Sequence, residues 1–355
     1  MDFRAEKIRK VLQKHYKEKA LNGSVLVSEN DDVIFKGGFG YANMEWNILN
    51  EADTKHTLGS ITKQFTAMLV LQLVEKGKIG LEDKISEYLP YYDKNIGKKV
   101  SIYHLLTHTS GIPNFTEKKG FLGDKIRKEY NLKELILNHC TEELEFKPGS
   151  KCKYSNSGYV ILGAIIKEVT NKHFKDVLKE NILIPLNMKN TGYDDYYSIL
   201  DKKASDYEVT DSGFKKAQYW DRSAAYTAGA MYTTVKDLFI WNKALFSNEL
   251  LSEKYTKLLL KPNLNNYACG CFVVKTYVNE IKKALDGLFD YVPPENEENE
   301  KVTIVFHHGG IYGVSTLIVN ILESKQCIIQ LNNIDKSKRN VVTKDILDIL
   351  MKNNK

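Results

Sequence analysis

Short apolar, β-branched runs stand near both ends of this chain, and helical periodicity fills the space between them. Residues 23–28 and 32–38 flank the turn signal Glu29-Asn30-Asp31, which is a hairpin pattern. Residues 267–277, 302–307, 315–322 and 326–331 read as further strands, and 341–351 as a closing helix. Between these ends, helical spacing recurs at 133–140, at 157–170 and after Thr233, with another helix predicted at 5–19. In the helix opening at Ser60, residues Ile61, Phe65, Met68, Leu69 and Leu73 form an apolar stripe that stops before Gly77. Strands need partners and an apolar face to cover. The economical architecture is therefore an α/β fold with one antiparallel sheet built from both ends of the chain. Helices flank that sheet, and a mainly helical lobe is inserted in sequence. This predicts a single domain over 1–355, with a sheet part at about 1–60 plus 225–355 and a helical part at about 61–224. A cleft between the two parts is the default site.

Composition narrows the function classes. The chain has 355 residues, 43% of them hydrophobic, which suits a folded protein. A net charge of +6, spread over dispersed lysines, gives no stripe for a nucleic-acid partner. No run is long enough for a membrane span. Met1-Asp2-Phe3-Arg4 lacks an apolar leader segment, which predicts a cytoplasmic protein, or an extracytoplasmic one from which a leader has been trimmed. The five cysteines are odd in number and scattered, a poor disulfide framework. Cys269 and Cys271 fall in a predicted strand, where they would share one face as small buried residues. The acidic stretch 293–300 reads as a solvated loop.

Three short motifs could carry chemistry. Ser60-Ile61-Thr62-Lys63 is a Ser-x-x-Lys, but so are Ser150…Lys153 and Ser212…Lys215. Only Ser60 opens a strongly apolar helix, which puts Lys63 one turn above it and a helix N-terminus beside any oxyanion. A desolvated lysine can lose its proton and serve as base to the hydroxyl. The bland alternative for Ser60 is a helix cap. Tyr154-Ser155-Asn156 gives a phenol that can relay a proton and an amide that can orient a carbonyl or the lysine. Tyr41…Asn43 and Tyr277…Asn279 match the same pattern, but Tyr154 follows the Pro148-Gly149 turn and precedes a helix. The third motif, His307-His308-Gly309-Gly310-Ile311, sits where one strand leads in and another leaves. Its glycines permit close approach of a substrate backbone. His308 could bind a substrate carboxylate or the Tyr154 oxygen, with His307 on the opposite face by strand alternation. His104 and His108 stand at helical spacing without the H-E-x-x-H pattern of a zinc site.

In this order, Ser-x-x-Lys, Tyr-x-Asn and His-x-Gly resemble the serine β-lactamase and penicillin-binding-protein superfamily. The resemblance is to its class C β-lactamase-like branch, which includes D-alanyl-D-alanine carboxypeptidases, D-aminopeptidases and esterases. It covers most of the chain. Residues 38–43 (GFGYAN), 105–113 (LLTHTSGIP), 148–159 (PG to YSNSGY) and 228–238 (AGAMYTT to DL) are similar to segments of that branch, with Ala230 where a second glycine is usual. The resemblance implies a β-lactamase/transpeptidase-like fold, no cofactor and no metal. It also implies an acyl-enzyme on Ser60, proton handling by Lys63 and Tyr154, and substrate positioning by Asn156, His308 and Gly310. Oxyanion donors would be the N–H groups of Ser60 and Ile311. The partner would be a small-molecule or peptide substrate, with β-lactams among the candidates. His308 replaces the lysine of efficient class C β-lactamases, which puts strong β-lactam turnover in doubt. A short-chain carboxylesterase, or a non-catalytic penicillin-recognising protein, is the alternative reading.

Overall fold

The computed structural model describes residues 3–287, 290–295 and 299–351. Residues 296–298 of the acidic loop lie outside the described residues. Six antiparallel strands form the main sheet. Their spatial order is Phe272–Tyr277, Lys301–Ile311, Val314–Ile321, Gln326–Asn332, Gly23–Glu29 and Asp32–Phe39. The two chain ends meet where Gly23–Glu29 pairs with Gln326–Asn332, from Gly23 opposite Asn332 to Glu29 opposite Gln326. The first hairpin closes through Asn30 and Asp31, both at positive φ (51° and 68°), the backbone that a two-residue hairpin turn demands.

Period-two alternation divides the sheet between two cores. Val25, Val27, Leu317, Val319 and Ile328 face one side. There they pack under the terminal helices Phe3–Lys17 and Arg339–Met351, which supply Ile8, Leu12, Val342 and Ile346. Leu26, Ile318, Ile329 and Leu331 face the other side and join the core of the helical region. The centre of that region is the helix Thr62–Glu75. The expected single apolar stripe understates it: every residue from Thr62 to Leu73 is buried, polar ones included. A helix buried on all sides is enclosed by neighbours rather than laid on a surface. Helices Asn156–Thr170 and Val235–Leu245 are among those neighbours. Trp241 stacks on Phe65 with ring centroids 3.9 Å apart and donates its indole N–H to Gln64 Oε1.

Two strand expectations need correction. The strand holding the third motif does not stop at His307. It runs from Lys301 to Ile311, so the glycines lie within it, and the turn falls at Gly313 (φ 68°). Cys269 and Cys271 are not strand residues. They flank Gly270 (φ 85°) in a bend before Phe272, and both are buried free thiols. Glycine is needed at the bend because a Cβ on Gly270 would stand 2.8 Å from Lys63 O. No described helix is long and apolar enough to cross a membrane.

Candidate active site

Ser60 does not begin an α-helix directly. A single 3-10 turn, Gly59–Ile61, leads into the helix at Thr62. Gly59 adopts φ 63°, and a Cβ there would press to 3.1 Å from Gly309 Cα. Gly309 is tighter still. Its Cβ would meet Leu58 O and Thr316 Oγ1 at 2.4 Å and Ser60 N at 3.0 Å. The two glycines thus let the Ser60 turn and the third-motif strand lie backbone against backbone. Thr316 Oγ1 donates to Leu58 O at 2.7 Å across the same junction.

Lys63 is fully buried. Its Nζ lies 2.7 Å from Asn156 Oδ1, 2.7 Å from Ala228 O and 3.2 Å from Ser60 Oγ. Burial holds its pKa well below the ordinary lysine value. Two of its three partners are carbonyl oxygens that take N–H donors. A neutral amine filling both has its lone pair left for the Ser60 hydroxyl. That is the arrangement of a base poised on a nucleophile.

The loop 105–113 holds the second motif in place. Ser157 Oγ donates to Pro113 O at 2.6 Å and accepts from Phe115 N at 3.1 Å, tying loop to helix. Asn156 stands at the start of that helix. Its backbone N–H donates to Asn114 Oδ1 and its Nδ2 to Thr116 Oγ1, fixing the amide with Oδ1 on Lys63. Asn114 and Thr116 are site residues that the motifs did not announce, although they follow the LLTHTSGIP string directly. The Tyr154 ring centroid is 4.8 Å from Lys63 Nζ. Burial pushes its phenol pKa up, against a hydrogen bond with Ser60 that pulls the other way. Tyr154 therefore keeps its phenolic proton at neutral pH.

The third motif differs from expectation in two ways. His307 and His308 alternate in the ladder, opposite Ile318 and Leu317, yet their ring centroids come within 5.8 Å of each other. His307 is buried, with Nδ1 2.8 Å from His308 O and Nε2 3.1 Å from Tyr267 Oη. In the neutral ring Nδ1–H donates and Nε2 accepts. His308 is neutral as well. Burial, with Arg339 and Lys63 adding to it, pushes its imidazole down to about 3. It carries no charge for a substrate carboxylate at physiological pH. The cation beside this motif is Arg339, one of five arginines in the chain. It donates from Nη1 to Ser315 Oγ at 2.6 Å and to Gly309 O at 3.3 Å.

Ser60, Asn156, Gly310 and Ile311 line one cavity of about 370 Å³. Its apolar wall comes from Phe115, Phe121, Leu122, Ile126, Trp220 and Tyr312, and Asp335 also lines it. The competing motifs fall elsewhere. Ser150 is exposed and donates to Lys147 O, and Ser212 sits in the turn between the short strands Tyr207–Thr210 and Gly213–Lys216. His104 Nδ1 accepts its own helix-cap N–H from Ser101.

A family model described as Beta-lactamase matches residues 8–349. The chain belongs to the Beta-lactamase family. Penicillin-binding protein 4* of Bacillus subtilis (strain 168) is 28% identical over 327 residues, 88% of this chain and 68% of that protein. Protein flp of Staphylococcus aureus (strain MW2) is 29% identical over 264 residues, covering 70% of this chain but only 52% of its own length. This chain therefore spans about half of protein flp. The crystal structure of D-amino acid amidase from Ochrobactrum anthropi SV3 shares the fold, with a TM-score of 0.80 at 21% identity over 99% of each chain. With its motifs in this setting, the chain is a β-lactamase-related serine hydrolase.

Proposed function

We propose that this hydrolase cleaves amides or esters of D-amino acids, peptides included, through an acyl-enzyme on Ser60. The observation that carries this reading is Lys63. It is buried, its pKa is held well below the ordinary lysine value, and its Nζ is hydrogen-bonded to two carbonyl acceptors and lies 3.2 Å from Ser60 Oγ. Lys63 takes the Ser60 proton as Oγ attacks the substrate carbonyl. The resulting oxyanion is held by the N–H groups of Ser60 and Ile311, a role supported by the close approach of Gly309 to Ser60 N. Tyr154, kept protonated by burial, donates to the departing amine or alkoxide and is resupplied from Lys63. The leaving group departs as the acyl-enzyme forms. Water then attacks the ester, with the same groups reversing their roles to free Ser60.

Substrate class rests on the cavity. Its aromatic wall favours a bulky apolar group on the acyl side. The neutrality of His308 removes the fixed cation that the third motif of an efficient β-lactamase carries, leaving Arg339 to hold a terminal carboxylate. The relatives named as penicillin-binding protein and D-amino acid amidase support the same class. The test compares kcat/KM for D-phenylalanine amide, a p-nitrophenyl ester, a D-Ala-D-Ala peptide and nitrocefin, with Ser60→Ala as control. The amide, ester or peptide is expected to exceed nitrocefin, with Ser60→Ala inert on all four. Nitrocefin turned over fastest would overturn the substrate assignment.

A further inference from the structure

His108 does not line the reacting cavity, yet it touches Tyr154 from three directions. Its carbonyl oxygen accepts the N–H of Lys153 at 2.9 Å. Its ring Nδ1 accepts the N–H of Ser155 at 3.2 Å. Its ring lies against the Tyr154 ring, centroids 4.3 Å apart and planes at 45°. One residue thus bonds the backbone on both sides of the tyrosine and packs on the side chain between them.

The local backbone makes this possible. His108 adopts φ 56°, a left-handed conformation that L residues other than asparagine, aspartate and histidine rarely enter. That turn brings the carbonyl and the ring to the same side. Since Nδ1 accepts a hydrogen bond, the ring proton sits on Nε2. Nε2 is buried and has no hydrogen-bond partner. The rings of Tyr159 and Tyr267 also surround the imidazole, at 5.1 and 4.4 Å, and His307 anchors Tyr267 in turn. This burial holds the imidazole pKa well below its ordinary value. A neutral, acceptor-bearing ring with an unspent N–H is an odd choice for a packing residue alone. Phenylalanine would fill the same space but would leave the buried Ser155 N–H unpaired.

We infer that His108 is a positioning residue that aims the Tyr154 phenol at Ser60, an inference that rests on the proton-handling role proposed for Tyr154. His108 acts only through Tyr154 and its flanking backbone. Removing the Nδ1 acceptor leaves the Ser155 N–H unpaired and loosens the backbone after Tyr154, and a displacement of about 1 Å at a proton donor costs about 100-fold in rate.

The test is a double-mutant cycle on the best substrate of the panel. His108→Ala and His108→Phe are each expected to lower kcat about 10- to 100-fold, with KM within about twofold. His108→Phe keeps the ring volume and carries the test if the alanine variant fails to fold. His108→Asn, which tolerates the backbone and places Oδ1 near the lost Nδ1, is expected to recover most of kcat. The decisive readout is the Tyr154→Phe background, where the His108 substitutions should cost less than about twofold because their target is gone. An equal loss in both backgrounds, or no loss in either, would overturn the role of His108. Unchanged kinetics for Tyr154→Phe by itself would instead overturn the reading of Tyr154 on which it rests.

Discussion

Asn156→Asp isolates the protonation state of Lys63. The substitution replaces an amide by a carboxylate of the same shape, with Oδ1 2.7 Å from Lys63 Nζ. Thr116 Oγ1, now 3.0 Å from Asn156 Nδ2 and donating to Asn114 Oδ1, can turn its hydroxyl to the second carboxylate oxygen by giving up the bond to Asn114. A negative charge at this distance stabilises the ammonium. Coulomb attraction at an effective dielectric of 20 is about 4 kcal/mol at 4 Å, and an opposite charge in contact shifts a pKa by about 1–3 units. The sign is fixed by which form works. Burial lowers the Lys63 pKa in the wild type, and with the free amine as the proposed base, activity is lost as pH falls through that lowered value. The aspartate raises it. The acid limb of kcat/KM should therefore move up by about 1–3 pH units, which on that limb is about a 10- to 1,000-fold loss at constant pH. Activity should return as pH rises, because the raised Tyr154 pKa keeps the proton donor intact. The assay is kcat/KM from pH 5 to 10 for both proteins, with circular dichroism at each pH. A folded variant whose acid limb stays put would refute Lys63 as the free base.

Other consequences follow from the same geometry. Gly309→Ala would drive a Cβ to 2.4 Å from Leu58 O. It should lose about 1–3 kcal/mol in urea denaturation together with most of its activity, whereas Gly310→Ala, whose Cβ meets nothing nearer than 3.8 Å, should keep its stability. With His308 pushed down to about 3, the wild-type pH profile should show no inflection near 6.5 from this ring; such an inflection that vanishes in His308→Gln would contradict its neutrality. Arg339→Gln should raise KM for a D-Ala-D-Ala peptide about tenfold, the loss of roughly one charged hydrogen bond, and leave KM for the uncharged p-nitrophenyl ester unchanged; equal effects on both would remove Arg339 as the carboxylate anchor.

The sequence announced the parts of this site that depend on residue type along a short stretch. Ser60 and Lys63 share a face because they are three apart on a helix, and the loop and turn strings around Tyr154 carry their geometry in their glycines and prolines. The hairpin at Asn30-Asp31 was legible for the same reason. What depended on contacts between distant segments was not. Arg339 opens the last helix, far from any motif, and only the pairing of the third-motif strand with its neighbour brings it to Gly309 and Ser315. His308 read as a group that could bind a substrate carboxylate, since its burial is set by segments that the local pattern does not contain. The rings of His307 and His308 stand 5.8 Å apart although the strand Lys301–Ile311 keeps its register with Val314–Ile321 through both residues, a closeness that strand alternation does not report. The helix Thr62–Glu75 read as a one-sided stripe because its polar members, Lys63, Gln64 and Thr66, are buried by partners on other helices and loops.

The most direct test of the account is the site of acylation. The wild type is incubated with a fluorescent penicillin or a fluorophosphonate, and the adduct is located by intact-mass and peptide mass spectrometry. One adduct per chain is expected, on the peptide that contains Ser60. It should be absent in a folded Ser60→Ala variant and undiminished in Ser150→Ala and Ser212→Ala. Labelling that persists in Ser60→Ala, or maps to another serine, would contradict Ser60 as the nucleophile and with it the mechanism built on Lys63 and Tyr154.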